Sequence, residues 1–327
     1  MSTANLDPTA HASSLTNHNP SNYSTNASFV YSSAYTAPVL DILEAQAGEK
    51  IIDLGCGTGE LTRLIYEKVT AQAAGGGRGE VIGVDSSSEM LDKASSYKDY
   101  PIPYIRADIQ DLPTFVSRYP QYKGHFDAVF TNATLHWCKD PKGVIELVGW
   151  LLRPGGRMAF EFGGFGNCVG IRAGLHQALK KRGIDPVPLD PWYFPTVGQY
   201  EAVLRSSSPT NPLTPQSLHL VPRPTPLPTS LRGWLDTFAR STFLSSFDDR
   251  QAGEILDDVV EICKVDNYWS EDIPGNGNED GMNVKGKGEP GPGKSSASGS
   301  GQGKEKEKKE GWEVMYVRLR GSAIKPE

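Results

Sequence analysis

The chain predicts a doubly wound α/β fold on a mainly parallel sheet, and three observations carry that reading. A short apolar run, Ile51-Ile52-Asp53-Leu54, enters a glycine-dense turn, Gly55-Cys56-Gly57-Thr58-Gly59, and leaves it with helical periodicity. Residues 81–85, 104–108, 126–130 and 158–162 read as further short buried strands, separated by stretches of helical spacing. Acids close two of these strands, Asp85 and Asp108, on the edge where open α/β sheets bind ligands.

The elements justify themselves in order. Residues 1–20 are Ser-, Thr-, Asn- and Ala-rich with almost no bulky apolar side chains, too little burial to offset ordering entropy, so a disordered tail is expected. Val39, Leu40, Ile42 and Leu43 mark a helix before the glycine turn, and Leu61, Leu64, Ile65 and Lys68 one face of the helix after it. Ser86-Ser87-Ser88-Glu89 matches a capping box ahead of Met90, Leu91 and Ala94. Asp140-Pro141 opens a helix that Arg153-Pro154-Gly155-Gly156 stops. Ile171, Leu175, Ala178 and Leu179 line another helix, followed by an aromatic loop at 191–196. A Pro-rich connection at 221–228 leads to helices marked by Leu231, Trp234, Leu235 and Phe238, and by Ala252, Ile255, Leu256, Val259 and Cys263. Residues 271–310 shift to Gly, Ser, Lys and Glu, a flexible low-complexity insertion inside a domain spanning 21–320. Alternation over 312–320 returns the chain to the sheet as a last strand, and 321–327 form a C-terminal tail.

Composition narrows the function. A net charge of −6 offers no basic field for a phosphate backbone, so nucleic acid is not an expected partner. Cys56, Cys138, Cys168 and Cys263 are scattered without a disulfide or metal spacing, which fits a reducing compartment. With no leader pattern and no apolar run near the roughly 20 residues that span a bilayer, a cytoplasmic protein without a membrane partner is expected. Two glycosylation patterns, at Asn22 and Asn26, are read as chance.

Gly55, Gly57 and Gly59 can expose bare backbone N–H groups to a ligand, but Glu60 stands where a dinucleotide fingerprint needs its third glycine. Asp85 can accept two hydrogen bonds from a ribose diol and Asp108 one from an adenine amine, while Met90 can lie against the base. Each acid alone is equally what a helix start or a turn uses; their order along the chain argues for a shared site.

Taken together, these motifs resemble class I S-adenosylmethionine-dependent methyltransferases. The likeness rests on Asp53-Leu54-Gly55-Cys56-Gly57-Thr58-Gly59, on Gly83-Val84-Asp85 with Met90, on Ala107-Asp108, and on residues 126–132 ending at Asn132. Within the class, residues 27–30, Leu135-His136-Trp137, 161–167, 193–196 and 223–227 are most similar to the trans-aconitate methyltransferase group. The resemblance implies a seven-stranded sheet with an antiparallel last strand, S-adenosyl-L-methionine as cofactor, and Asp53 near the methionyl amine. It implies cofactor roles for Asp53, Gly55, Gly57, Gly59, Asp85, Met90, Asp108 and Asn132.

The expected acceptor is a small molecule methylated at oxygen, a carboxylate of a trans-aconitate-like acid or a hydroxyl, and no metal is required. His136 is the candidate base for a hydroxyl, with Trp137 beside it. Trp192, Tyr193 and Phe194 are expected to cover the acceptor, and Arg223 to pair with its carboxylate. Methylation at nitrogen or carbon, and a non-catalytic cofactor-binding regulator, are the alternatives.

Overall fold

Residues 25–26, 33–71, 79–206, 212–273 and 307–327 are described by the structure, a computed structural model. Expectations for the N-terminal tail, for residues 27–30 and for most of the 271–310 insertion lie outside the described residues.

Lys50–Leu54 (β1) sits mid-sheet, paired in parallel with Glu80–Asp85 (β2) on one side and Phe126–Asn132 (β4) on the other. Tyr104–Arg106 (β3) extends the β2 side and Leu152–Gly163 (β5) the β4 side, both parallel. Glu307–Ile324 (β8) then runs antiparallel between β5 and Thr214–Pro226 (β6). The order β3-β2-β1-β4-β5-β8-β6 has the seven expected strands, and Tyr268–Ile273 (β7) adds an eighth by pairing with the first part of β8. Strand order reverses between β1 and β4, which opens a crevice at their carboxyl ends.

Successive residues of a strand point to opposite faces, and doublets of apolar side chains exploit this. Ile51, Val81, Ala128 and Ala159 pack with Val39 and Leu43 of Ser33–Leu43 (α1) and Leu61, Ile65 and Val69 of Glu60–Thr70 (α2). Their neighbours Ile52, Ile82, Val129 and Phe160 face the opposite layer. That layer is built from Leu112–Arg118 (α4), Pro141–Leu151 (α5) and Val197–Ser206 (α7), through Phe115, Leu147, Val148, Tyr200 and Leu204. Ser88–Ser95 (α3) starts one residue later than the expected capping box: Ser87 is the N-cap, its Oγ accepting the Met90 N–H, so Glu89 is not at the box's closing position. Asp140 likewise caps α5.

A third core is aromatic and lies toward the crevice. Val169–Lys180 (α6), Leu231–Phe238 (α8) and Asp249–Asn267 (α9) contribute Leu175, Trp234, Phe238, Ile255 and Val259, which close around Trp192, Phe243, Val314 and Tyr316.

Four expectations are corrected. The Pro-rich connection is the end of edge strand β6: Val221, Arg223 and Thr225 pair with Arg318, Tyr316 and Val314, while Pro222, Pro224 and Pro226 alternate with them. Their missing N–H groups all fall on the open side, where an edge strand needs no donor. Leu64 is exposed, and Val69 completes the buried face of α2 with Leu61 and Ile65. The ends of the 271–310 stretch are paired strands, Glu271 opposite Lys309 and Ser270 opposite Glu310. Residues 321–327 are no loose tail: β8 runs to Ile324, and Lys325 donates from Nζ to the Gly149 and Leu152 carbonyls.

Candidate active site

The glycine turn hangs on β2. Gly55 and Cys56 donate their N–H groups to the Val84 carbonyl at 2.7 and 3.0 Å, and Gly57 donates to Asp85 Oδ2 at 2.9 Å. Asp85 Oδ1 accepts the Ser87 N–H at 2.9 Å. Gly55 and Gly59 both have φ of +79°, and a Cβ would lie 2.2 Å from Thr134 at Gly55 and 2.6 Å from the Tyr104 hydroxyl at Gly59. Only glycine satisfies both the conformation and the space.

Asp53 is buried beneath this turn and accepts from Thr62 Oγ1 at 2.7 Å. Burial pushes its carboxyl up to about 7, against the Thr62 hydrogen bond and with a small addition from the charge of Asp85. Burial also raises Asp85, opposed by the Ser87 and Gly57 N–H groups. Met90 is buried in the first turn of α3. Asp108 is exposed and binds the Gln110 N–H at 2.9 Å, and the Ala107 N–H reaches the Asp85 carbonyl at 3.1 Å. Asn132 ends β4, its carbonyl accepting from Thr134 Oγ1 at 3.0 Å. The fold thus brings the expected cofactor residues to the ends of adjacent strands.

These residues fit S-adenosylmethionine. The expected exposed N–H groups are a correction: those of Gly55, Gly57 and Gly59 go to Val84, Asp85 and Cys56 inside the protein, so the fit rests on the buried Asp53 carboxyl, lifted toward neutrality, which an incoming ammonium stabilises in its ionised form.

Thr134 joins this half to the next, for its hydroxyl also donates to the Gly55 carbonyl at 3.1 Å. Beyond it lies a cavity, partly open to solvent, lined by Ala133, His136, Trp137, Asn167, Cys168, Trp192, Phe194, Trp234, Phe238, Tyr316 and Arg318. Trp192 and Phe194 stack at 5.8 Å between ring centroids, and Trp137 lies 6.2 Å from Trp192. Ala133 and Cys168 hold left-handed backbone conformations, φ +55° and +48°, on the cavity wall.

The aromatic loop is fixed from behind by Asp190, which is buried. It accepts from Arg172 Nε at 2.5 Å, pairs with His176 Nε2 at 3.0 Å, and takes the Trp192 N–H at 3.0 Å. Tyr193 is not among the cavity-lining side chains; its N–H donates to the His136 carbonyl at 2.8 Å, so it positions the loop through its backbone. His136 is buried, and its Nδ1 accepts the Gly163 N–H at 3.3 Å. In a neutral ring that hydrogen bond occupies the basic lone pair.

Arg223 is also absent from the lining. Its Nη1 donates to Glu161 Oε1 at 3.0 Å and to the Tyr35 carbonyl at 3.3 Å, so the expected carboxylate partner is already spent inside the protein. The cation on the cavity wall is Arg318, which the motifs did not single out. Its signal was topological: a last strand that runs antiparallel brings its middle, with Tyr316 and Arg318, to the carboxyl end of β5 at the ligand edge. Asn167, Trp234 and Phe238 stand in sequence as motif or helix-face residues and Cys168 as a scattered cysteine, and all four are also cavity walls.

A cradle at the switch point of this strand order, with acids on the neighbouring strands, is the arrangement of class I S-adenosylmethionine-dependent methyltransferases, and the comparisons with known proteins support that class. Residues 45–164 match the family described as a methyltransferase domain. The chain is 29% identical over 263 residues to an uncharacterised methyltransferase of Schizosaccharomyces pombe, covering 76% of this chain and 91% of that one. It is 32% identical over 135 residues to a trans-aconitate 2-methyltransferase of Acidovorax, covering 40% of this chain and 46% of that enzyme. The chain therefore spans under half of that enzyme's length. A solved candidate methyltransferase from Bacillus halodurans shares the fold, with a TM-score of 0.52 at 12% identity over 90% of this chain and all of the other. Among the described residues no helix is long and apolar enough to cross a membrane.

Proposed function

We propose that the protein methylates oxygen on a small carboxylate-bearing molecule seated in the aromatic cavity beside the glycine turn. The observation that carries this reading is the cavity itself: it begins at Ala133, next to the Thr134–Gly55 hydrogen bond, and combines aromatic walls with one guanidinium. Asp53 meets the methionyl amine, Asp85 the ribose, and Met90 and Asp108 the base, with Asn132 at the strand end between the two halves. Bound S-adenosylmethionine supplies a sulfonium methyl: as the acceptor oxygen bonds to that carbon the C–S bond breaks, its electron pair stays on sulfur, and a methyl ester and a neutral thioether result.

Trp137, Trp192 and Phe194 exclude water and hold the acceptor in line, which is most of what a displacement of this kind asks of a protein. An ionised carboxylate needs no base, in keeping with a His136 whose Nδ1 lone pair is engaged. The partial likeness to a trans-aconitate methyltransferase supports an acid acceptor in the same direction.

The test is methyl transfer from labelled cofactor across panels of organic acids, phenols and amines. Label appearing in base-labile esters is the expected result. Label confined to amines, or to phenols with acids inert, refutes the reading.

A further inference from the structure

Arg318 is 4% exposed, yet among the described residues its guanidinium has no carboxylate partner. Its Nε is buried without a hydrogen-bond partner, and its Cζ stands 4.6 Å from the Tyr316 ring centroid. Glu161 spends Oε1 on Arg223 at 3.0 Å and Oε2 on Arg320 at 2.5 Å, so both of its oxygens already answer other arginines.

An arginine cannot shed its proton to escape burial, and a buried ion without a partner is among the costliest features a fold can carry. A charge kept under those conditions on a cavity wall is a charge that meets an anion there. The other walls are Trp137, Trp192, Phe194, Trp234, Phe238 and Tyr316, and Arg318 is the one charged side chain of formal fixed sign among the lining residues.

We propose that Arg318 makes the cavity a site for a single carboxylate carried on a flat, apolar body, so the acceptor is an aryl or similarly planar monoacid and not a polycarboxylate. Resting on the reading of the cavity as the acceptor site, this narrows its substrate class. A tricarboxylate would set one charge on Arg318 and strand the others against indole faces, losing their hydration without a partner. A monoacid satisfies the cation and covers the aromatic walls together. Methylation removes the charge, so the ester loses its hold on Arg318 and leaves.

The full chain saturated with S-adenosylhomocysteine is titrated calorimetrically with 1-naphthoate, its neutral isostere 1-naphthamide, and trans-aconitate. The acid is expected to bind at least about ten-fold tighter than either other probe, the loss of one charge-assisted hydrogen-bonded pair. Arg318→Met should bring the acid down to the amide, leave S-adenosylhomocysteine affinity within about two-fold, and leave the melting temperature unchanged or higher because an unpaired buried charge is gone. Arg318→Lys should keep part of the preference. A parent protein that binds neither probe, binds acid and amide alike, or binds trans-aconitate most tightly overturns the proposal, as does Arg318→Met with its preference intact. The parent comparison needs no variant to fold. Should the charge preference hold while no acid is methylated, the anion site stands and carboxylate methylation falls; esters formed equally well by Arg318→Met overturn the anion site and leave carboxylate methylation standing.

Discussion

Gly57 donates its backbone N–H to Asp85 Oδ2 at 2.9 Å, so the acid that ends β2 holds the middle of the glycine turn at the end of β1. Its other oxygen holds the start of α3 through Ser87. Asp85 therefore shapes the site before any ribose meets it. Asp85→Ala should weaken S-adenosylhomocysteine by about 1 to 3 kcal/mol, the range for leaving hydrogen-bonding groups unmatched. Asp85→Asn should do less harm, since its amide oxygen can still accept one of the two N–H groups. Calorimetry decides, and unchanged affinity in Asp85→Ala removes the ribose role.

The carboxyl of Asp53 gives a pH dependence with a definite sign. Burial lifts it from 3.8 to about 7, so between those values the native protein keeps a proton that the unfolded chain has released. Stability must then fall as pH rises through that window and level off above it. Cofactor affinity should run the other way, rising toward pH 7 as Asp53 ionises to face the ammonium. Asp53→Asn should flatten the stability slope in denaturant melts between pH 5 and 8, and should lower S-adenosylhomocysteine affinity most at the alkaline end.

Gly59 combines a left-handed φ with a blocked Cβ position. Gly59→Ala should cost about 1 to 3 kcal/mol in backbone strain and crowding against Tyr104. The Tyr104 hydroxyl is buried without a partner, and burial raises its pKa to about 12. Tyr104→Phe should thus be neutral or stabilising alone and should recover part of the loss in the double variant. Additive effects in the cycle would show that the two groups do not meet.

How much of this was legible follows from which forces are local. Ile51-Ile52 and Ala128-Val129 announced buried strands because a strand covered on both faces is written as a run of adjacent apolar residues, and the three glycines announced a tight turn because its signal is equally local. Pro222, Pro224 and Pro226 were misread because proline excludes a central strand but not an edge one, and edge position is a property of the sheet. Arg223 was placed in a Pro-rich connection and given the acceptor's carboxylate, while Arg318 was only one residue of the last strand. Their difference, one answered by Glu161 and the other left facing a cavity, depends on strand order and on a carboxylate far away in the chain.

Asp190 offers a test of positioning. It joins Arg172 and His176 of α6 to the Trp192 N–H, so its removal should free the 190–196 loop without touching the glycine turn. Asp190→Asn should raise acceptor KM several-fold with S-adenosylhomocysteine affinity unchanged, and Asp190→Ala should also cost about 1 to 3 kcal/mol of stability. An equal loss of affinity for both ligands would mean that the loop supports the whole site and not the acceptor half.

His136 separates an acid acceptor from a hydroxyl. Its Nδ1 accepts the Gly163 N–H at 3.3 Å, a bond that an asparagine carbonyl can reproduce and an alanine cannot. His136→Ala should therefore destabilise by about 1 to 3 kcal/mol through an orphaned buried donor, and His136→Asn should recover much of that. With a carboxylate acceptor, His136→Asn should keep kcat within about ten-fold, and neither protein should show a rate limb rising near neutrality that belongs to an imidazole. A hydroxyl acceptor served by this ring would instead lose about 10² to 10⁴ in rate with asparagine in place, and the parent's rate would climb with loss of an imidazolium proton. Paired pH–rate profiles of the parent and His136→Asn, taken at saturating cofactor, distinguish a ring that braces β5 from one that moves a proton.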